Sequence, residues 1–168
     1  HQEEALKAWL KEKRGVVSLP TGAGKTILAV LAMSLIKRST LVVVPTIDLM
    51  NQWLEVLTKF FYLKVGCLGG GERSYEKVMV STYDSARMMI ETKGNLFGFL
   101  IVDECHHLPS EQNKFLAEAS LAPFRLGLSA TVERQDGAEA LLYDLLGQKV
   151  YEAKINDMVK KVLAPYDV

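Results

Sequence analysis

Short runs of Val, Leu and Ile alternate along this chain with longer segments in which apolar residues recur at helical spacing. The short runs show almost no apolar and polar alternation, which is typical of strands buried on both faces. They lie at residues 16–19, 41–44, 78–80, 99–102 and 126–128, and a further strand is expected near residues 65–68. Strand and helix alternate about six times with short connections, which predicts right-handed crossovers and a mainly parallel sheet. We expect one three-layer α/β domain over residues 1–168, with helices on both faces.

Composition narrows the classes of protein to which the chain can belong. With 168 residues, 49% of them hydrophobic, it can bury a full core, and no apolar run approaches the roughly 20 residues that span a bilayer. Twenty basic residues balance twenty acidic ones, so any contact with nucleic acid is expected to be local. Cys67 and Cys105 form no CxxC pair, which favours reduced thiols inside a cell over a zinc cluster or disulfides.

A glycine-rich segment follows the first predicted strand and precedes a helical run at residues 27–36. It reads Leu19-Pro20-Thr21-Gly22-Ala23-Gly24-Lys25-Thr26. Gly22 and Gly24 allow successive N–H groups to curl toward one phosphate at the start of the helix. Lys25 can then reach the β and γ phosphates, and the Thr26 hydroxyl can ligate Mg²⁺. The segment is a P-loop with Leu19 in place of the usual glycine; a plain glycine turn between strand and helix is the alternative.

Two adjacent carboxylates, Asp103 and Glu104, end another predicted strand. Their burial is unfavourable unless a cation or hydrogen bonds compensate, and Mg²⁺ would do so. In P-loop enzymes an Asp here completes the metal site and a following Glu can deprotonate the attacking water. The alternatives are a solvated loop and a metal site built from His106 and His107. The second is disfavoured if the two histidines lie on an extended segment and point in opposite directions.

These residues, in this order, resemble the motifs of superfamily 2 helicases. The similar segments are residues 21–26 for motif I, 44–46 for motif Ia, 81–86 for motif Ib, 103–106 for motif II and 129–131 for motif III, with Gln2 at the adenine-reading position. Within the superfamily, the two histidines and residues 125–134 look most like XPB-type DNA repair helicases. The resemblance covers nearly the whole chain and implies a RecA-like domain that is the first lobe of a helicase.

The chain departs from the family pattern in several places. Arg134-Gln135-Asp136 stands where the family has Arg-Glu-Asp, which is linked to strand separation. Cys105 replaces a usual valine, and the aromatic residue expected ahead of Gln2 does not occur. Motifs IV to VI, which belong to a second RecA-like lobe, are also missing from these residues. We therefore expect a second lobe outside this chain and a chain that by itself binds ATP weakly and hydrolyses it slowly.

The resemblance also implies roles for individual residues. It gives catalytic roles to Lys25, Asp103 and Glu104, and magnesium binding to Thr26 and Asp103. ATP binding is expected at Gln2, Pro20, Thr21, Gly22, Ala23, Gly24, Lys25 and Thr26. Backbone contacts to DNA are expected at Pro45, Thr46, Thr82 and Tyr83, although both threonines can equally be ordinary helix N-caps. Coupling between ATP and DNA is expected at His106, Ser129, Ala130, Thr131, Arg134 and Asp136.

The function implied is an ATP-dependent DNA helicase or translocase of DNA repair, in the cytoplasm of a prokaryote or the nucleus of a eukaryote. Its expected partners are DNA, the second lobe and a repair protein or nuclease, with no membrane. The alternatives are an ATP-controlled duplex-DNA clamp, an RNA helicase without strong unwinding, and a small-molecule P-loop kinase. Two further residues, Trp9 and Trp53, lie in apolar helical segments and are interpreted as core, while residues 69–71 (Gly-Gly-Gly) are interpreted as a loop.

Overall fold

The apolar runs form the strands of a single sheet in the computed structural model, which describes residues 1–20, 24–61, 64–130 and 137–153. The strands are β1 (Arg14–Ser18), β2 (Thr40–Val44), β3 (Val65–Gly69), β4 (Glu72–Ser74), β5 (Val78–Thr82), β6 (Phe99–Asp103), β7 (Phe124–Ser129) and β8 (Lys149–Glu152). The α-helices are α1 (Gln2–Leu10), α2 (Lys25–Ile36), α3 (Ile47–Phe60), α4 (Tyr83–Lys93), α5 (Lys114–Ala119) and α6 (Glu139–Leu146). A 3₁₀ turn covers Cys105–His107.

The strand order across the sheet is β4-β3-β5-β2-β6-β7-β1-β8. All neighbours pair in parallel except β4, which is antiparallel to β3. Strands β2, β5 and β6 are buried along their whole length, which is why their sequences lack alternation. The predicted α/β class with a mainly parallel sheet is confirmed.

Helices cover both faces of the sheet, and each face has its own hydrophobic core. Leu41 and Val43 of β2 pack with buried residues of α4, α5 and α6, whereas Val42 and Val44 pack with those of α1, α2 and α3. Successive side chains of a strand point to opposite faces, so an uninterrupted apolar strand supplies both cores. The predicted three layers are therefore present.

Two strands were not predicted. The three residues of β4 are exposed and polar, and β8 is only partly buried, so neither carries an apolar run. The glycine triplet belongs partly to a strand and partly to a turn. Gly69 is the last residue of β3, and Gly70 and Gly71 form the turn into β4. Its interpretation as a loop was therefore wrong at Gly69.

The carboxyl ends of the parallel strands lie along one edge of the sheet, where ligands of such folds bind. The residues that end these strands at this edge are Ser18, Val44, Gly69, Thr82, Asp103, Ser129 and Glu152. In the part of the chain that the structure describes, no helix is long and apolar enough to cross a membrane.

Candidate functional site

The amino-terminal end of α2 lies at this edge, directly beyond β1. Gly24 is the N-cap of α2 and has φ +85°, a left-handed conformation that glycine adopts without steric cost. Lys25 is the first residue of the helix and Thr26 lies in its first turn, so the helix begins at the position that the sequence predicts. Pro20 is half-buried just before the segment, whereas Thr21, Gly22 and Ala23 lie outside the described residues.

The glutamine predicted to read adenine reaches this segment. A Cβ added to Gly24 would collide with the Gln2 side-chain nitrogen, so the Gln2 amide packs directly against the glycine. Gln2 is the first residue of α1, and contacts between α1 and α2 hold it there. The residue expected to read adenine and the predicted phosphate loop are thus adjacent in space.

The acidic pair is held by a set of short hydrogen bonds at the end of β6. One carboxylate oxygen of Asp103, Oδ1, accepts the backbone N–H of Glu104 at 2.9 Å, and the other, Oδ2, accepts the indole N–H of Trp53 at 2.9 Å. Asp103 is only 5% exposed. Burial raises its pKa above the ordinary value, and the Glu104 carboxylate adds to this, while Trp53, the Lys25 ammonium and the Glu104 N–H oppose the shift.

The phosphate-loop lysine meets the acidic pair. Lys25 Nζ lies 3.3 Å from Glu104 Oε1, with the two side chains 14% and 28% exposed. This ion pair joins the start of α2 to the end of β6, two strands away from β1 in the sheet. The separation that would have refuted the predicted site, with Lys25 and Asp103 on opposite sides of the molecule, is not what the structure shows.

Magnesium fits the donor atoms at this place. Asp103 offers a buried carboxylate, and Thr26 offers a hydroxyl at the start of the helix; hard oxygens of this kind are the ligands Mg²⁺ prefers. Among residues 1–20, 24–61, 64–130 and 137–153, no three His, Cys, Asp or Glu side chains converge to hold a metal by themselves. A magnesium ion here would need phosphate oxygens as well, which is how Mg²⁺ is bound in nucleotide sites.

The two histidines after the acidic pair do not lie on an extended segment, and that expectation was wrong. Glu104 has φ 48°, which turns the chain into the 3₁₀ turn and brings the rings of His106 and His107 to 4.2 Å between centroids. His106 Nδ1 lies 2.9 Å from Ser129 Oγ and 3.7 Å from Glu104 Oε2. His106 therefore connects the acidic pair with the end of β7, where the predicted coupling residues begin.

Ala130 is exposed immediately after β7. The remaining predicted coupling residues, Thr131, Arg134 and Asp136, lie outside the described residues.

The predicted nucleic-acid residues separate into two kinds. Thr46 is exposed and caps α3, its hydroxyl accepting the Leu49 N–H at 3.2 Å; Thr82 caps α4 in the same way through Ser85 at 3.3 Å. Both threonines are therefore N-caps, as the alternative interpretation held, and both caps lie at the functional edge. Pro45 is half-buried beside Thr46.

Tyr83 is placed differently from the sequence expectation. It is 5% exposed, and its hydroxyl donates to the backbone carbonyls of Asp103 at 2.7 Å and Glu104 at 3.1 Å. A ring buried in this way does not present a surface to DNA, so the role expected for Tyr83 needs correction. Trp53, interpreted from the sequence as core, also bonds to Asp103, and no spacing in the sequence signals the contact of either Trp53 or Tyr83.

Comparison with known proteins agrees with this geometry. The family model described as type III restriction enzyme, res subunit, matches residues 1–134. A DNA 3'-5' translocase, XPB2, of Sulfurisphaera tokodaii is 49% identical over 168 residues, which are 100% of this chain and 38% of that protein. A DNA 3'-5' helicase, XPB, of Mycobacterium tuberculosis is 34% identical over 94% of this chain and 31% of that protein. The chain thus spans about a third of the length of these relatives.

Solved structures show the same fold. The UvsW helicase from bacteriophage T4 superposes with a TM-score of 0.75 at 23% identity, over 89% of this chain and 58% of that one. The helicase domain of Pyrococcus furiosus Hef superposes with a TM-score of 0.74 at 24% identity, over 91% of this chain and 37% of that one. At these identities the likeness establishes the architecture alone, an α/β domain built on a mainly parallel sheet.

Proposed function

The chain belongs to the family described as type III restriction enzyme, res subunit, and from this premise we propose that it is the ATP-binding lobe of an XPB-like DNA helicase or translocase. The resemblance to superfamily 2 helicases, and within them to the XPB type, is confirmed by the family match and by the two relatives named above. The proposed motor couples ATP hydrolysis to movement along DNA and acts in DNA repair. A second RecA-like lobe completes it.

One observation supports this proposal above the others: the Lys25 ammonium, the Glu104 carboxylate and the buried Asp103 carboxylate meet at the carboxyl edge of the sheet. A lysine at the start of a helix and an acidic pair at the end of a neighbouring strand are the parts that phosphoryl transfer requires. In the proposed mechanism Lys25 neutralises the γ-phosphate. Thr26 and Asp103 hold Mg²⁺, which supplies positive charge to the phosphate oxygens.

Glu104 orients and deprotonates the attacking water. In the structure its carboxylate is paired with Lys25, so ATP must draw Lys25 away before Glu104 can accept a proton. Gln2, which packs against Gly24, selects adenine. An arginine from the second lobe, which is worth roughly 10³ to 10⁵ in rate in this chemistry, stabilises the transition state. The lobe by itself is therefore expected to bind ATP and to turn it over slowly.

Two matched ion pairs in this chain allow a direct test. Lys25–Glu104 is half-buried at the proposed site, whereas Lys59–Glu55 is an exposed pair on α3, with side chains 73% and 70% exposed. Lys25→Ala should abolish binding of a fluorescent ATP analogue and Lys59→Ala should leave it unchanged. Glu104→Gln should keep binding but stop hydrolysis, whereas Glu55→Gln should affect neither. Equal effects of the two lysine variants would contradict the proposed site.

The proposal that a second lobe supplies the arginine has its own test. Vigorous ATP turnover by this chain alone, blocked by Glu104→Gln, would contradict it. For the protein that contains both lobes, ATPase stimulation by duplex DNA without strand displacement would favour the clamp or a pure translocase. Gln135 favours this alternative, because it replaces the glutamate of the family triplet that is linked to strand separation. Stimulation of the ATPase by RNA alone would favour the RNA helicase. Stimulation by neither DNA nor RNA would favour the small-molecule kinase.

A further inference from the structure

Two aromatic side chains from different helices converge on the acidic pair. Trp53 comes from the middle of α3 and Tyr83 is the first residue of α4. The indole bonds to the side chain of Asp103, and the phenol bonds to the backbone of Asp103 and Glu104. Both aromatic residues are almost completely buried, at 2% and 5% exposure. Their polar atoms are therefore directed at this pair and not at solvent.

The bond from Trp53 fixes the orientation of a carboxylate. Asp103 has one oxygen bonded to the Glu104 N–H and the other to the Trp53 indole. A carboxylate with a fixed donor on each oxygen cannot rotate freely about its Cβ–Cγ bond. The free lone pairs of the Asp103 carboxylate are therefore oriented before a metal ion binds. Groups that hydrogen-bond to a metal ligand in this way tune the affinity of the site for the metal.

The bonds from Tyr83 hold an unusual stretch of backbone. Glu104 lies in the left-handed region with φ 48° and ψ 50°, which non-glycine residues seldom adopt. The Tyr83 hydroxyl donates to the Asp103 carbonyl at 2.7 Å and to the Glu104 carbonyl at 3.1 Å, and these two carbonyls lie on either side of the Glu104 Cα.

We propose that Trp53 and Tyr83 are positioning residues with separate tasks, an inference that rests on the proposed ATP-binding function. Trp53 orients the Asp103 carboxylate for Mg²⁺. Tyr83 holds the left-handed backbone that aims the Glu104 carboxylate at the water. Neither residue touches the reacting atoms. Loss of the indole N–H should therefore weaken metal binding, and loss of the phenol hydroxyl should slow hydrolysis.

The variant Trp53→Phe tests the first task, and Trp9→Phe is its matched control. Trp9 is also fully buried, but its indole donates to the Arg125 carbonyl at 2.9 Å and is not bonded to the acidic pair. Binding of N-methylanthraniloyl-ATP to the 168-residue chain would be titrated with MgCl₂ and repeated in EDTA. Trp53→Phe should raise the Mg²⁺ concentration for half-maximal binding about tenfold and leave binding in EDTA unchanged. A midpoint equal to that of Trp9→Phe would overturn the assignment of Trp53.

The variant Tyr83→Phe tests the second task. Its single-turnover rate of ATP hydrolysis should fall about tenfold while its Mg²⁺ midpoint stays that of the unmodified chain. The hydroxyl has one proton, shared between two carbonyls, so its removal is expected to cost about as much as one hydrogen bond, which corresponds to about tenfold. A shift of the midpoint, or an unchanged rate, would overturn the separate task of Tyr83. Thermal melts of each variant would establish that it is folded.

A second measurement keeps the assignment of Trp53 open to refutation if Trp53→Phe does not fold. In Trp9→Phe the remaining tryptophan is Trp53, and its emission should change when Mg²⁺ is added together with ATP. Emission that does not respond, in a chain that binds the nucleotide, would overturn the assignment. An unmodified chain that fails to bind the probe under any condition would refute the proposed function itself, whereas normal binding with an unshifted Trp53→Phe midpoint refutes only the inference.

Discussion

Replacement of Arg125 by methionine should destabilise the domain strongly. Arg125 lies in β7, is 8% exposed, and its guanidinium donates four hydrogen bonds of 2.8 to 3.0 Å. All four acceptors are backbone carbonyls, at the end of α6 and around the carboxyl end of α5; they belong to Ala117, Ser120, Ala122 and Leu145. The side chain thus connects β7 with two helices of that layer, α5 and α6.

The size of the effect follows from these four bonds. Hydrogen bonds to a charged donor contribute about 1.5 to 3 kcal/mol each, so four of them give roughly 6 to 12 kcal/mol before desolvation of the cation is subtracted. Burial is unfavourable for the guanidinium, as its pKa shows: desolvation and Arg14 lower it from 12.5 to about 10. Methionine removes that penalty but leaves the carbonyls without their donor. We expect a net loss of about 3 to 5 kcal/mol, the usual result of removing one partner of a buried charged contact.

Urea unfolding followed by circular dichroism would measure this loss, and the exposed Arg73 on β4 offers a control. In thermal unfolding followed by the same signal, Arg125→Met should lower the midpoint temperature by roughly 10 °C, given the scaling for a domain of this size. Arg73→Met should change the free energy of unfolding by less than about 0.5 kcal/mol. A loss below about 1 kcal/mol for Arg125→Met would refute the reasoning, because it would mean that the carbonyls exchange the guanidinium for water at no cost.

Three further outcomes are expected. Thr46→Ala should lower the free energy of unfolding by about 1 kcal/mol through loss of the α3 cap, and Thr46→Ser should restore it; equal stability of the two variants in urea would contradict the cap. Gly24→Ala should displace the Gln2 amide and strain a backbone with φ +85°. In competition binding, ATP should therefore lose its advantage over GTP, both in this variant and in Gln2→Ala. A retained preference for ATP would show that Gln2 does not read the base. Cys105 is fully buried with its pKa raised by burial, so a thiol reagent should label only the half-exposed Cys67 until the chain unfolds, and Cys67→Ser should then show no labelling of the folded state.

The sequence was sufficient to predict the layers of the fold and the edge of the sheet at which Lys25 and the acidic pair meet. Buried parallel strands have continuous apolar sequences. A charged or glycine-rich segment directly after such a run is therefore easy to recognise, as are the segments that contain Lys25 and Asp103. Strands that are neither buried nor apolar, such as β4 and β8, have no such signature. Their pairing depends on the sheet edge that is already formed.

Contacts made by long-range partners could not be predicted in this way. Trp53 precedes Asp103 by 50 residues, and its apolar helical segment led to its interpretation as core. Tyr83 precedes Asp103 by 20 residues, and it was expected to contact DNA. The structure buries both rings, so the interpretation of Trp53 was correct about packing but did not include its polar atom, whereas the surface role expected for Tyr83 was wrong. Arg125 is similar, because an arginine within a strand gives no sign of which carbonyls will surround it.

The partners of the acidic pair explain how two adjacent carboxylates are tolerated at the end of a buried strand. Trp53 belongs to the helical layer formed by α1, α2 and α3, and Tyr83 to the layer formed by α4, α5 and α6, so each layer contributes one donor. Both donors sit on helices whose N-caps, Thr46 and Thr82, lie at the same edge of the sheet. A phosphate backbone bound across these caps would act on the two helices that hold the acidic pair. We therefore expect α3 and α4 to carry the effect of nucleic acid to the ATP site, alongside the route from His106 to Ser129.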